Sequence, residues 1–139
     1  VAIYPMLENN LCQLLVFDFD NHAKGAEQED YANIDDRLKE EINALRHICK
    51  NLDVDAAVER SRSGRGAHLW IFFKEMVPAR LARKFGFALL EKGAESVNLK
   101  SFKYYDRMIP TQDALPEGGL GNVIALPLQG MALKSGKWN

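Results

Sequence analysis

Residues 11–19 (LCQLLVFDF) form a nearly continuous apolar run, β-branched and aromatic in character, which ends in the carboxylates Asp18 and Asp20. That pattern predicts a central strand. From about Asp30 to Leu52 the apolar residues Ile34, Leu38, Ile42, Leu45 and Cys49 recur at steps of three and four, the spacing of an amphipathic helix. Residues 54–61 (VDAAVERS) read as a second strand, Ser63-Gly64-Arg65-Gly66 turns the chain, and residues 67–73 (AHLWIFF) read as a third. Pro78 opens a second helix to about Lys92, with Leu81, Phe85, Ala88 and Leu89 as its expected inner stripe. Residues 102–109 and 122–128 are strand candidates on either side of a Pro/Gly-rich loop at 110–121.

The order β-α-β-β-α-β-β predicts an α+β fold with a mainly antiparallel sheet. Its first six elements match the split βαβ, ferredoxin-like arrangement, in which strands one and three are antiparallel neighbours in the middle of the sheet. Asp18 and Asp20 at the end of strand one would then meet His68 at the start of strand three. Alternation puts Asp18 and Asp20 on one face and Phe17 and Phe19 on the other. With helices over one face, the second can gather both carboxylates and the histidine into a cleft.

The length of 139 residues fits one domain, and 47% hydrophobic residues with 27% charged exclude collagenous, coiled-coil and disordered chains. No uncharged apolar run approaches the roughly 18 residues that span a bilayer. Cys12 and Cys49 lie in apolar-periodic segments without metal-ligand spacing and read as buried free thiols of a reducing compartment, the cytoplasm. The chain starts at Val1 without a methionine, as an excised fragment of a longer chain would. Net charge is −1, but residues 1–58 carry five Lys/Arg against twelve Asp/Glu, and residues 59–139 carry thirteen against seven. An acidic half beside a basic half suits a metal-assisted site for a polyanion, although two solvated helix faces would give the same totals.

Three stretches carry candidate chemistry. Asp18-Phe19-Asp20 sets two carboxylates within reach of one hard cation, Mg or Mn, and an ionised pair ending a core strand repels unless a cation neutralises it. In Arg60-Ser61-Arg62-Ser63-Gly64-Arg65-Gly66-Ala67-His68, glycines permit close backbone approach to a ligand. Backbone N–H groups, Ser hydroxyls, arginines and His68 can hold phosphate oxygens there, so Ser61, Ser63, Gly64, Arg65, Gly66 and His68 are phosphate-binding candidates. The third stretch holds Asp106, Asp113 and GNVIALPLQG; a third carboxylate is expected if two divalent ions serve phosphoryl transfer, and Asp106, inside a strand beside strand one, is favoured over Asp113 in a loop. Lys134 is a weaker triphosphate candidate, and Arg80, Arg83 and Lys84 on the second helix read as solvated.

DFD, SRSGRGAHLWIFF and YDRMIPTQD leading to GNVIALPLQG together resemble the three-motif pattern of archaeo-eukaryotic primases. They most closely resemble the primase-polymerase domain of TOTE conflict systems, over about residues 4–130. The resemblance implies an RRM-like catalytic core in which the first-motif acids Asp18 and Asp20 bind divalent metal. It also implies that His68 contacts the incoming nucleotide's phosphates and that a third-motif acid, Asp106 or Asp113, completes the metal site. The implied activity is that of a DNA-dependent primase-polymerase, a nucleotidyltransferase of DNA replication in which the catalytic set is Asp18, Asp20, His68 and Asp106. Its implied partners are NTP or dNTP, a DNA template and primer, and helicase or nuclease domains of the same system, with no membrane. Two other classes fit parts of the pattern: an RRM-like nucleic-acid-binding module without catalysis, and a metal-dependent nuclease.

Overall fold

One sheet with two apolar faces accounts for the architecture. The computed structural model describes residues 1–20, 30–61, 65–97, 102–127, 130 and 134, with side chains of the first helix from Asp36 onward. The elements are β1 (Ala2–Ile3), β2 (Leu11–Phe19), α1 (Asp30–Asn51), β3 (Ala56–Arg60), β4 (Ala67–Pro78), α2 (Ala79–Ser96), β5 (Tyr105–Ile109) and β6 (Ile124–Ala125). Four strands pair antiparallel in the order β3-β4-β2-β5, and β1 pairs with β6 in a separate ribbon. The chain is therefore α+β, with β2 and β4 as the central pair of a split βαβ sheet.

Period-two alternation decides what each face meets. Phe17, Phe19, Leu69, Ile71 and Met108 share a buried cluster with Leu38, Ile42, Leu45 and Cys49 of α1 and with Ala82, Leu89 and Leu90 of α2. On the opposite face Leu14, Val16, Trp70 and Ile109 pack beneath Ile124, with Ile3 and Leu126 beside it. The β1–β6 ribbon thus caps part of the second face. Its N-terminal strand was not expected, because two residues are too short to show a period. Cys12 and Cys49 are buried free thiols, as expected, and burial pushes both thiol pKa values up.

The inner stripe of α2 differs from the expectation. Leu81 and Ala88 are exposed, Phe85 is half-buried, and the buried residues are Ala79, Ala82, Gly86, Leu89, Leu90 and Gly93. The helix approaches the sheet through its smallest residues. A Cβ at Gly86 would stand 2.2 Å from Met108 Sδ, so closeness of packing selects glycine where size alone would have selected leucine. β4 also runs past the expected end at residue 73 to Pro78, because Val77 and Pro78 pair with Cys12 and Leu11 beyond an irregularity in β2. Of the strand expected at 122–128, whose last residue lies outside the described ones, β6 keeps two of the six described residues.

β5 starts at Tyr105, three residues later than expected, for an electrostatic reason. Glu41 of α1 is fully buried and accepts the backbone N–H groups of Lys103 (2.8 Å) and Tyr104 (2.9 Å). Residues 103 and 104 thereby give their donors to a carboxylate instead of a ladder. The Tyr104 carbonyl in turn accepts the N–H of Asp20 at 2.8 Å. A helix side chain therefore fixes the backbone on which a candidate site carboxylate rides. Glu41→Ala is expected to lower stability by roughly 2–4 kcal/mol, since two partly or fully buried N–H groups lose a charged acceptor. Glu41→Gln, which keeps one acceptor oxygen, should fall between Ala and wild type in chemical denaturation.

Candidate active site at the Asp18 end of the sheet

A single rung crosses all four strands. Glu59 of β3 lies opposite His68 of β4, His68 opposite Asp18 of β2, and Asp18 opposite Arg107 of β5. The side chains connect in the same order. His68 Nδ1 is 3.1 Å from Glu59 Oε1 and its Nε2 is 3.4 Å from Asp18 Oδ1, while Arg107 Nε donates to Asp18 Oδ2 at 3.3 Å. The charges alternate in sign along the row. Asp18 and His68 side chains are only 12% exposed, which keeps water from screening the pairs, whereas Arg107 is 52% exposed and opens the row to solvent.

Burial alone would lower the His68 pKa, but hydrogen bonds to Asp18 and Glu59, and their charges, outweigh it and push it up to about 9. The ring is an imidazolium at neutral pH. Burial works to raise the Asp18 pKa, yet the hydrogen bond and charge of His68, then the charge and hydrogen bond of Arg107, hold it below the ordinary aspartate value. The sequence reading left the Asp18 charge to be balanced by a bound cation. The protein balances it with His68 and Arg107, so removing Asp18 would take one partner from each of two cations and not relieve a repulsion.

Gly66 is needed for a reason other than ligand approach. A Cβ there would stand 2.3 Å from the Phe19 carbonyl oxygen and 3.2 Å from the Asp20 Cα. The turn between β3 and β4 thus presses on β2 where Asp20 leaves it. Ser61 Oγ accepts the Gly66 N–H at 3.1 Å, and Ser61 N–H donates to the Gly66 carbonyl at 2.9 Å, closing the turn on itself. Arg65 is exposed, and Ser63 and Gly64 lie outside the described residues. Lys134 is an exposed residue, and no contact among the described residues ties it to the rung.

The two candidate third acids sit in different surroundings. The β2–β5 register shifts between Asp18 and Phe19, so Arg107 faces Asp18, Tyr105 faces Phe19, and Asp106 is the extra residue of a bulge. Asp106 Oδ2 lies 3.7 Å from Arg107 Nε, which puts Asp18 and Asp106 on one guanidinium. Asp113 is instead tied to α2, where Arg83 Nε donates to it at 2.7 Å while Arg83 Nη1 holds the Pro110 carbonyl at 3.1 Å. Arg83, expected to be solvated, is mostly buried by this clamp.

No group of three or more His, Cys, Asp or Glu side chains that could hold a metal ion is assembled among the described residues. The donor set is nonetheless of the right kind. Asp18 and Asp106 offer hard carboxylate oxygens to one cation, and the Arg107 guanidinium stands where they meet. Residues that suit a divalent ion are present, held by a protein cation.

Sequence reasoning missed Glu59 and Arg107. Each was readable in principle, because the split βαβ order makes β3 and β5 the outer neighbours of the His68–Asp18 pair. Finding them requires the register, which alternation fixes only to one residue in two.

Comparison with known families places the domain in the archaeo-eukaryotic primases, a superfamily of primase-like nucleotidyl transfer. A family model described as the archaeo-eukaryotic primase domain of the TOTE conflict system matches residues 1–138, and the chain belongs to that family. A search of curated proteins gave no significant match. No helix among the described residues is long and apolar enough to cross a membrane.

The rung predicts a pH signature. His68 titrates at about 9 in the fold against 6.5 as the ordinary value, so its pairing stabilises fully below about pH 6.5 and is lost as pH rises through 9. Asp18, depressed below 3.8, contributes above that value and loses its contribution as pH falls through its folded pKa. The stability advantage of wild type over His68→Gln is therefore expected to be greatest between about pH 4 and 6.5 and to shrink toward pH 9. Thermal melts of both proteins across that range measure it.

Proposed function

We propose that this domain, as one catalytic unit over residues 1–139, performs metal-dependent nucleotidyl transfer. The 3′-hydroxyl of a DNA primer attacks the α-phosphate of an NTP or dNTP opposite a DNA template, and pyrophosphate leaves. The observation that carries this reading is the ionised Asp18, set between His68 and the half-exposed Arg107 and sharing Arg107 with Asp106. Membership of a primase family supports the same reaction class.

Asp18, Asp20 and Asp106 would hold Mg or Mn, two ions in the proposed reaction, which when bound lower the pKa of the attacking hydroxyl and neutralise charge on the leaving group. The chain's own residues do the rest. His68, already an imidazolium, and the Arg107 guanidinium serve as donors to phosphate oxygens once Asp18 no longer claims them. Ser61 and Arg65 would contact the triphosphate, as would Ser63 and Gly64, which lie outside the described residues, and Gly66 sets the distance of its own backbone from β2.

A non-catalytic nucleic-acid-binding module is favoured by one observation. The Phe72 ring on central strand β4 is 62% exposed and stacks on Trp70, with centroids 6.0 Å apart and planes 7° from parallel. That ring could take an unpaired base. In the polymerase reading the same face serves the template strand.

Primer extension separates these readings. Wild type is expected to extend a primer with Mn or Mg, and to gain thermal stability from NTP plus Mn without nucleic acid. Stabilisation by nucleic acid alone, with no extension, would favour the binding module. Asp18→Asn is expected to abolish extension. Asp106→Asn should lower extension and metal affinity more than Asp113→Asn, whose partner is Arg83. A larger loss from Asp113→Asn would reassign the third acid.

A further inference from the structure

We propose that Glu59 is a positioning residue for the His68 ring. It would accept Nδ1–H so that the opposite nitrogen, Nε2, is aimed at the Asp18 carboxylate and at the phosphates bound there. The inference rests on the nucleotidyl-transfer reading for what Nε2 contacts, and on geometry alone for what Glu59 does. Glu59 faces His68 directly in the β3–β4 register, and its Oε1 lies 3.1 Å from Nδ1.

Two features argue against a purely structural carboxylate. β3 is an edge strand of five residues, and most of its side chains are wholly or half exposed, yet Glu59 is 9% exposed. Among the described residues its second oxygen, Oε2, is buried with no hydrogen-bond partner. A buried acid with one oxygen unpaired is a cost to folding, and an apolar residue at this position would avoid it. What Glu59 does is fix a ring. An imidazolium held through one N–H by a carboxylate has its ring plane set, and the other N–H is delivered in a fixed direction. His68 needs this because, among the described residues and apart from Glu59 itself, no neighbour other than Asp18 holds the ring by a hydrogen bond. Trp70 meets it only edge-on at 6.1 Å, and Asp18 is the partner the proposed reaction would take away.

Glu59 acts through His68, so the two residues should behave as one unit. Glu59→Ala is expected to lower kcat/KM for the nucleotide on the order of 10–100-fold, the range for loss of a carboxylate that orients a functional histidine, with primer–template affinity unchanged. Glu59→Gln, which keeps an acceptor oxygen at the same reach, should restore most of it. Glu59→Asp keeps the charge but falls a methylene short and should not, and it replaces the Ala variant if that fails to fold. The Glu59→Ala/His68→Ala double variant should be no worse than His68→Ala.

Nitrogen-15 correlation spectra of the His68 ring in the full chain, free of nucleotide, give a readout independent of activity. The signature of a hydrogen-bonded Nδ1–H should be present in wild type and Glu59→Gln and lost in Glu59→Ala and Glu59→Asp. An unchanged ring spectrum in those two variants, or losses that multiply in the double variant, would overturn the proposal. If no protein extends a primer but the ring spectrum changes as expected, nucleotidyl transfer fails while the positioning role of Glu59 stands.

Discussion

An ionised carboxylate ending a strand whose preceding residues are buried has to be neutralised by its neighbours, and one end of this sheet is arranged around that requirement. Val16, Phe17 and Phe19 are fully buried, and Asp18 between them is 8% exposed. Its charge is met from both sides by cross-strand partners, and the imidazolium that meets it is balanced by a second carboxylate. Direct cross-strand neighbours are the positions at which such pairs reach each other without long side chains. The rung of Glu59, His68, Asp18 and Arg107 is thus both an electrostatic solution and a lock on register. A slip of one residue in any of the four strands would turn a charge into the helix-covered core.

The opposite face holds that register in place. Leu69 and Ile71, which alternate with His68 and Trp70, belong to the cluster beneath α1 and α2, and Met108 next to Arg107 fills the space left by Gly86. Packing on one side therefore decides which side chains appear on the other. The close contact of Gly66 with Phe19 and the hydrogen bonds from Glu41 through Tyr104 to Asp20 act at the strand's end, where ladder pairing gives out. Loop and helix residues take over from the sheet at the point where the candidate chemistry begins.

Much of this was legible in the chain. The apolar run of β2 and the alternation in AHLWIFF identify two central strands, and with the helix between them they imply antiparallel pairing and the meeting of Asp18 with His68. Glu59 and Arg107 were harder, because a charged residue in a short strand looks solvated until its partner is known. The bulge at Asp106 is invisible to a period of two, since it is a departure from that period. The α2 stripe misled for a related reason: hydrophobic periodicity weighs side chains by size, while this interface selects for their absence. The β1–β6 ribbon joins two-residue strands from opposite ends of the described chain, and nothing local announces it.

The alternating rung also bears on how a polyanion and cations could be accepted together. A site of uncompensated carboxylates repels phosphate, and a site of uncompensated arginines repels metal. In this row each charge already has an opposite partner, so the free protein carries neither penalty. On the proposed reading, binding is an exchange of partners: Asp18 passes from Arg107 and His68 to a divalent ion, and the two protein cations pass to phosphate oxygens. Neither exchange alone leaves the row neutral. A metal without nucleotide would confront two cations that have each lost one carboxylate partner, and a nucleotide without metal would confront Asp18 still ionised. The physical consequence is that metal and nucleotide favour each other's binding through side chains of this chain, in addition to any direct contact between them.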